Sequence, residues 1–293
     1  MVARAGSQLA TPANAQVAPA PPLRGLIAAY HGYQHEDLPP GHHRGMPSPY
    51  LTLIVTLDDP LVIARHPDPR ASPGEYLTLA GGLHTAPALI SFDGRMSGVQ
   101  LAVSPLAARP LFGLPAGELA NVDVEATELL GATAMELHER IREAPEWQAR
   151  FEIMDSLLLA GADPDAEVHP GVARAWQRIL DSGGTVRVGE LAKEVGWSPR
   201  HLQALFQAET GLTPKAACRV TRFHRARRAL QRRVQAGLPP DLADLAAGCG
   251  YFDQAHLARE FRELAGCPPS VWLADEFRII QGSDAGGEQG LGA

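Results

Sequence analysis

The sequence predicts an α+β protein in two parts, a β-rich first half and an all-α second half. Three observations lead there. Between about residues 24 and 112, short runs of β-forming residues are separated by turns rich in Pro, Gly and Asp. From Ala126 onward the apolar residues recur at helical spacing. Beyond residue 170 a capped helical unit occurs twice. At 293 residues, with 45% hydrophobic and 20% charged residues, the chain suffices for one large or two ordinary domains with buried cores.

In chain order, residues 1–22 are rich in Ala and Pro and have the composition of a disordered tail, as do residues 281–293. The first stretch lacks the continuous apolar run of a secretory signal. No run reaches the roughly 18–20 apolar residues of a membrane span, so the expectation is a cytoplasmic protein with no membrane partner. Tyr50–Leu57, Tyr76–Leu79 and Val99–Val103 are the strand-like runs of a small β sandwich or barrel. Two helices follow, Ala126–Ala144 and Glu146–Ala160, interrupted at Pro145. Leu129, Leu130, Leu137 and Ile141 stripe the first, and Phe151, Met154, Leu157 and Leu158 the second. These stripes make the pair the expected subunit contact of a homodimer. Gly161–Asp165 and Pro170 close this part, which gives a sensor or dimerisation domain over 23–162 and a helical domain over 168–280. Cys218, Cys249 and Cys267 are odd in number and form no C-x-x-C pair, which fits small buried thiols in a reducing compartment.

A net charge of −7 argues on its own against a nucleic-acid binder, but its distribution reverses that. Residues 1–165 carry 10 Lys+Arg against 19 Asp+Glu, whereas residues 166–293 carry 16 against 14. Within Thr185–Gln235 the count is 11 against 3. An acidic half is joined to a locally basic one.

The stretch "GWSPRHLQALFQAETGLTP" (196–214) holds a short helix with Ser198 as N-cap, Pro199 at the first helical position and Gly211 as terminator. Leu202, Leu205 and Phe206 share one face, and Arg200, Gln203, Ala204 and Gln207 the other. Leu191–Val195 forms a short helix before it, joined through Gly196, so the whole is a helix-turn-helix. A shift of 54 places brings Leu191, Ala192, Gly196 and Trp197 onto Leu245, Ala246, Gly250 and Tyr251. With one extra residue, a shift of 55 brings Ser198, His201, Leu202, Phe206, Gly211 and Pro214 onto Asp253, His256, Leu257, Phe261, Gly266 and Pro269. Between the copies, Pro214–Gln235 fits one long helix with Val220, Phe223, Ala226 and Leu230 as its buried stripe. A helix of about 20 residues spans about 30 Å, close to the roughly 34 Å between successive major grooves on one DNA face.

Through "LAKEVGWSPRHLQALFQAETGLTPKAACRVTRFHRARRAL" and "DLADLAAGCGYFDQAHLAREFRELAGCPPSVW", residues 172–277 resemble the AraC/XylS family of transcription regulators. The resemblance implies a seven-helix DNA-binding domain whose third and sixth helices enter adjacent major grooves, with promoter DNA and RNA polymerase as partners. It places the base-reading positions at Arg200, Gln203, Ala204 and Gln207 in the first unit, and at Gln254, Ala255 and Arg259 in the second. Ala204 departs from the large polar residue common in the family, and Ala255 is a departure too. An arginine can present a fork to guanine O6 and N7, a glutamine can pair with adenine, and alanine can touch a thymine methyl. Ser198, His201, Lys215, His256 and Arg262 are the expected phosphate contacts, which position the protein without reading sequence. For the two histidines, which sit beside the caps, packing or a phosphate contact is expected in preference to base reading. Arg222, Arg225, Arg227, Arg228, Arg232 and Arg233 form a basic run that suits either an ion-paired connector surface or a DNA contact.

The first half resembles N-terminal domains found on some members of that family, through "GHHRGMPSPYLTLIVTLDDPL" and "GVQLAVSPLAARPLFGLPAGEL". That likeness implies a cupin-like β barrel that binds a small-molecule effector or pairs subunits. Six of the 11 histidines precede residue 85, namely His31, His35, His42, His43, His66 and His84. A metal site would make the chain a metal-dependent cupin-type enzyme or sensor fused to a DNA anchor. No H-x-H pair with a downstream partner supports it, so histidines in loops and at pocket rims are expected, with no metal or cofactor. Neither a G-x-S-x-G elbow nor a glycine-rich phosphate loop occurs. Family relatives that repair alkylated DNA use cysteines outside the DNA-binding unit, and here none precedes Cys218. The expectation is a regulator and not an enzyme. Trp147 and Trp176 are expected to pack between helices.

Overall fold

The β-forming runs of the first half pair into two antiparallel sheets, seen in a computed structural model that describes residues 14–36 and 38–282. The strands are β1 (Asn14–Val17), β2 (Ile27–His35), β3 (Gly41–Gly45), β4 (Leu51–Thr56), β5 (Leu61–Arg65), β6 (Gly74–Tyr76), β7 (Thr78–Gly81), β8 (Ala88–Phe92), β9 (Met96–Val103) and β10 (Asp123–Glu125). One sheet runs β1-β2-β9-β4-β7-β10 and the other β3-β8-β5-β6. The expected cupin-like barrel thus takes the form of two antiparallel sheets that do not close on themselves. Long alternating strands hold its centre: β9 pairs with β2 through Tyr30↔Leu101 and with β4 through Leu53↔Leu101. Tyr30, Leu53, Val99 and Leu101 are at most 1% exposed.

The N-terminal tail expected over 1–22 is corrected from residue 14 onward. β1 pairs with β2 from Asn14↔Tyr33 to Val17↔Tyr30. A helical turn at Pro21–Leu23 then buries Leu23 completely, and the Ala20 N–H donates to Asp155 Oδ1 at 3.0 Å. Ala and Pro lower the apolar content of this stretch, but an edge strand needs backbone pairing more than side chains. Residues 1–13 and 283–293 of the expected tails lie outside the described residues, and the last helix runs on to Gly282.

After β9 come α1 (Ala108–Phe112), α2 (Thr127–Leu130), α3 (Ala132–Glu143) and α4 (Trp147–Gly161). The helix expected over Ala126–Ala144 is broken at Gly131, whose φ of +57° suits glycine alone. Leu137, Ile141, Phe151, Met154 and Leu158 are at most 4% exposed. Here α3 packs on α4 and on β4 and β7, so those stripes are occupied within the chain. Each such side chain contributes about 1.5–3 kcal/mol on burial. The Trp147 ring lies over Gly32, where any Cβ would collide with it, and stacks on Phe151, which stacks on Tyr30.

Among the described residues, seven helices make up the second half: α5 (Pro170–Asp181), α6 (Val188–Glu194), α7 (Pro199–Thr210), α8 (Pro214–Gln235), α9 (Leu242–Gly248), α10 (Gln254–Ala265) and α11 (Pro269–Gly282). Trp176, Phe206, Phe223, Phe261 and Trp272 fill their core at 2% exposure or less. All three cysteines are free and buried. No helix among the described residues is long and apolar enough to cross a membrane.

Candidate nucleic-acid interface

The repeat seen in the sequence is a repeat of geometry. The helices α6 and α9 have seven residues each, and α7 and α10 have twelve each. Gly196 and Gly250 make the intervening turns at φ +73° and +77°, which a side chain would oppose. The Trp197 N–H donates to the Ala192 carbonyl and the Tyr251 N–H to the Ala246 carbonyl, at 2.8 and 3.0 Å. Ser198 Oγ accepts from the His201 N–H at 3.2 Å, and Asp253 Oδ1 from the His256 N–H at 2.6 Å. Such caps satisfy a helix-end donor and are worth about 1 kcal/mol each. Gly211 and Gly266 end the helices in the left-handed region. Leu202, Leu257, Phe206 and Phe261 are fully buried, which fixes the rotation of α7 and α10 about their axes.

That rotation turns the remaining side chains outward. Arg200, Gln203, Ala204 and Gln207 on α7 are exposed, as are Gln254, Ala255, Arg259 and Arg262 on α10. Lys215, in the first turn of α8, is exposed too. His201 and His256 pack edge-on against Trp197 and Tyr251, with centroids 5.1 and 5.2 Å apart. Both histidines thus have a packing contact beside the cap. Between the units, a cleft bordered by Arg187, Lys215, Arg219, Arg222, His256 and Arg259 separates α10 from the first turns of α8.

The connector α8 is a single helix of 22 residues, about 33 Å long at 1.5 Å per residue. Val220, Phe223, Ala226 and Leu230 are fully buried along it. Its basic run divides. Arg222 donates from Nη2 to Glu260 Oε1 at 2.7 Å, and Arg233 from Nη1 to Asp244 Oδ2 at 2.8 Å. Arg219 joins the first pair, reaching Glu260 at 3.0 Å and also Glu263. Arg225, Arg228 and Arg232 stay exposed. Arg227 is half-buried, and burial followed by the nearby Arg228 lowers its guanidinium to about 10.

Sequence reasoning missed the carboxylates that organise this surface. Glu260 stands at the repeat position of Leu205, and Glu209 at that of Leu264. A carboxylate where the other copy has leucine signals a buried cation partner. For Glu209 that partner lies in the first half: Arg109 donates from Nε to Oε1 at 2.7 Å and from Nη2 to Oε2 at 2.9 Å. Beside it, a Cβ on Gly117 would collide with the Ala208 carbonyl, so the turn at Ala116–Leu119 meets α7 backbone to backbone. A second contact joins β3 to α11, where His43 Nδ1 lies 2.6 Å from Glu276 Oε2 and Arg44 Nη1 lies 2.7 Å from Asp275 Oδ2. The acidic half therefore meets the basic half through arginines of its own, Arg44 and Arg109.

Four of the other early histidines have contacts within the first half. His66 Nδ1 lies 2.7 Å from Asp123 Oδ2, and His84 Nδ1 lies 2.5 Å from the Ala86 carbonyl oxygen. His31 and His35 flank Tyr33 on β2. Burial, then His35, Arg228 and His43, lower the His31 imidazole to about 4. Among the described residues no three His, Cys, Asp or Glu side chains are grouped closely enough to hold a metal ion. Trp147 and Trp176 are buried between helices at 4% and 2% exposure.

Residues 191–275 match the family model described as a helix-turn-helix domain, and residues 15–125 match a domain of unknown function (DUF6597). Over 90 residues the chain is 37% identical to the regulatory protein Ada of Salmonella typhimurium, a match that takes in 27% of this chain and 26% of that protein. The chain thus spans about a quarter of that curated relative's length. Among solved structures, apo ToxT of Vibrio cholerae is similar over 84% of this chain and 97% of its own, with a TM-score of 0.51 at 9% identity, a likeness of fold. The C-terminal domain of AraT, a response regulator from Geobacillus stearothermophilus, matches 36% of this chain and 86% of its own at 21% identity, with a TM-score of 0.32.

Proposed function

We propose that this chain is an AraC-type helix-turn-helix transcription regulator, in which α7 and α10 read adjacent major grooves of one promoter duplex while α8 fixes their separation. One observation carries this reading: two capped helices with the same buried residues and exposed polar faces, joined by a single rigid helix about 33 Å long. Arg200, Gln203, Ala204 and Gln207, with Gln254, Ala255 and Arg259, would read base edges. Ser198, His201, Lys215, His256 and Arg262 would hold phosphates. The first half supplies the input, a small-molecule effector or the pairing of two chains, and transmits it through the Arg109–Glu209 contact at the inner face of α7. RNA polymerase is the partner that turns binding into transcription control.

The test is a footprint with binding measurements on a duplex selected from a random pool. Wild type should protect two neighbouring major grooves on one face. Arg259→Ala should relax preference at one or two base pairs at a cost of about 1–3 kcal/mol. Arg262→Ala should weaken binding to all sequences alike and flatten the salt dependence by about one phosphate contact. A footprint confined to one groove, or identical behaviour of the two variants, would contradict the assignment.

A further inference from the structure

Phe252 is 92% exposed, while the next most exposed large apolar side chain among the described residues, Leu238, is 52% exposed. It occupies the one place where the two units differ in length. Trp197 is followed directly by the cap Ser198, whereas Phe252 stands between Tyr251 and the cap Asp253. The backbone around it is fixed. The Tyr251 side chain is buried at 5% exposure, the Phe252 N–H donates to His256 Nδ1 at 3.3 Å, and Asp253 caps α10 one residue later. With its neighbours tied down on both sides, the ring stands out from the N-terminal end of α10, the helix whose exposed face carries Gln254, Ala255 and Arg259.

We propose that Phe252, with Ala255 beside it, makes an apolar contact with a thymine methyl group in the groove entered by α10, and so determines sequence preference there. This rests on the reading of α10 as a base-reading helix. The ring has neither donor nor acceptor, so it cannot take part in hydrogen-bond readout. The one apolar group that major-groove edges offer is the C5 methyl of thymine, which phenylalanine and alanine side chains are suited to meet. Gln254, Ala255 and Arg259, exposed on α10 just beyond the ring, are the side chains assigned to base edges, which makes nucleic acid the partner of the ring as well. The first unit has no residue at the matching place, so the two units would read their half-sites differently.

The experiment uses the full chain and a duplex selected by it from a random pool. Each thymine in the α10 half-site is replaced in turn by deoxyuridine, which removes the methyl group alone. For wild type, one replacement should weaken binding about fourfold, the worth of one buried methyl-sized group. Phe252→Ala should bind the thymine duplex about as weakly as wild type binds the deoxyuridine duplex, and should be indifferent to the same replacement. Circular dichroism and melting should show Phe252→Ala folded as wild type, since the side chain buries nothing. The inference is overturned if no deoxyuridine replacement matters, if Phe252→Ala keeps the wild-type sensitivity, or if it loses affinity equally on unrelated duplexes. Arg200→Ala and Arg259→Ala serve as the control. If they alter the selected sequence while Phe252→Ala does not, this inference alone fails; if neither alters it, the two-groove reading fails.

Discussion

Glu260 is 5% exposed and accepts hydrogen bonds from both Arg219 and Arg222, while the Arg222 guanidinium lies 5.0 Å from the centre of the Tyr251 ring. The carboxylate thus ties α10 to α8 and supports the turn that leads into α10. Removing one partner of a buried ionic cluster leaves its charges uncompensated, at a cost of about 3–5 kcal/mol. Glu260→Ala should lower the urea midpoint of the full chain accordingly, and a change under about 1 kcal/mol would contradict the role given to the cluster. At this scale the repeat frame made the caps, the terminating glycines and the outward polar faces legible. It hid Glu260 and Glu209, because a repeat is read from its matches and both carboxylates are mismatches.

Helix α8 carries the largest share of the architecture of the second half, since α5, α7, α9, α10 and α11 all pack on it. Phe223 is fully buried on α8 with its ring centre 5.0 Å from that of Phe261 on α10. Phe223→Ala should cost about 3–5 kcal/mol. It should lower the thermal transition of both helix-turn-helix units together; a second unit that melts alone while the first is untouched would argue against a shared connector. The bounds and buried stripe of α8 are legible because Thr213 caps it, Pro214 opens it and apolar residues recur along it. Strand β3 (GHHRG) is not legible, because none of its residues is β-branched and its pairing with β8 is made by backbone groups. Three-residue strands such as β6 and β10 are too short for an alternating pattern to show, while the break at Gly131 is a local φ that helical periodicity does not register.

Between the halves, the contacts join residues more than 90 positions apart, such as Arg109 with Glu209 and His43 with Glu276, and no local pattern announces such pairs. Near this junction a buried histidine gives the molecule a pH dependence. Burial, then the nearby His35, Arg228 and His43, lower the His31 imidazole on β2 to about 4 from its ordinary 6.5. A depressed histidine contributes stability that is present above 6.5 and is lost as pH falls toward 4, up to about 3 kcal/mol for a shift of this size. Glu276 is also held below its ordinary range, with burial opposed by His43 and Arg44. Unfolding free energy should therefore decline between pH 6.5 and 4.5, and His31→Gln should flatten the decline. A slope that His31→Gln leaves unchanged would place the titration elsewhere.

Gly117 meets α7 at the Gln207 and Ala208 carbonyls and Arg109 meets it at Glu209, whereas the side chains of Arg200, Gln203, Ala204 and Gln207 are exposed. The same twelve residues thus serve two masters without sharing a side chain between them. On the reading proposed above, substitutions at the outer positions would retarget DNA binding while the inner ones kept the connection between the halves intact. The inner seam tolerates little variation of its own, since a bare backbone crossing offers no rotamer with which to adjust.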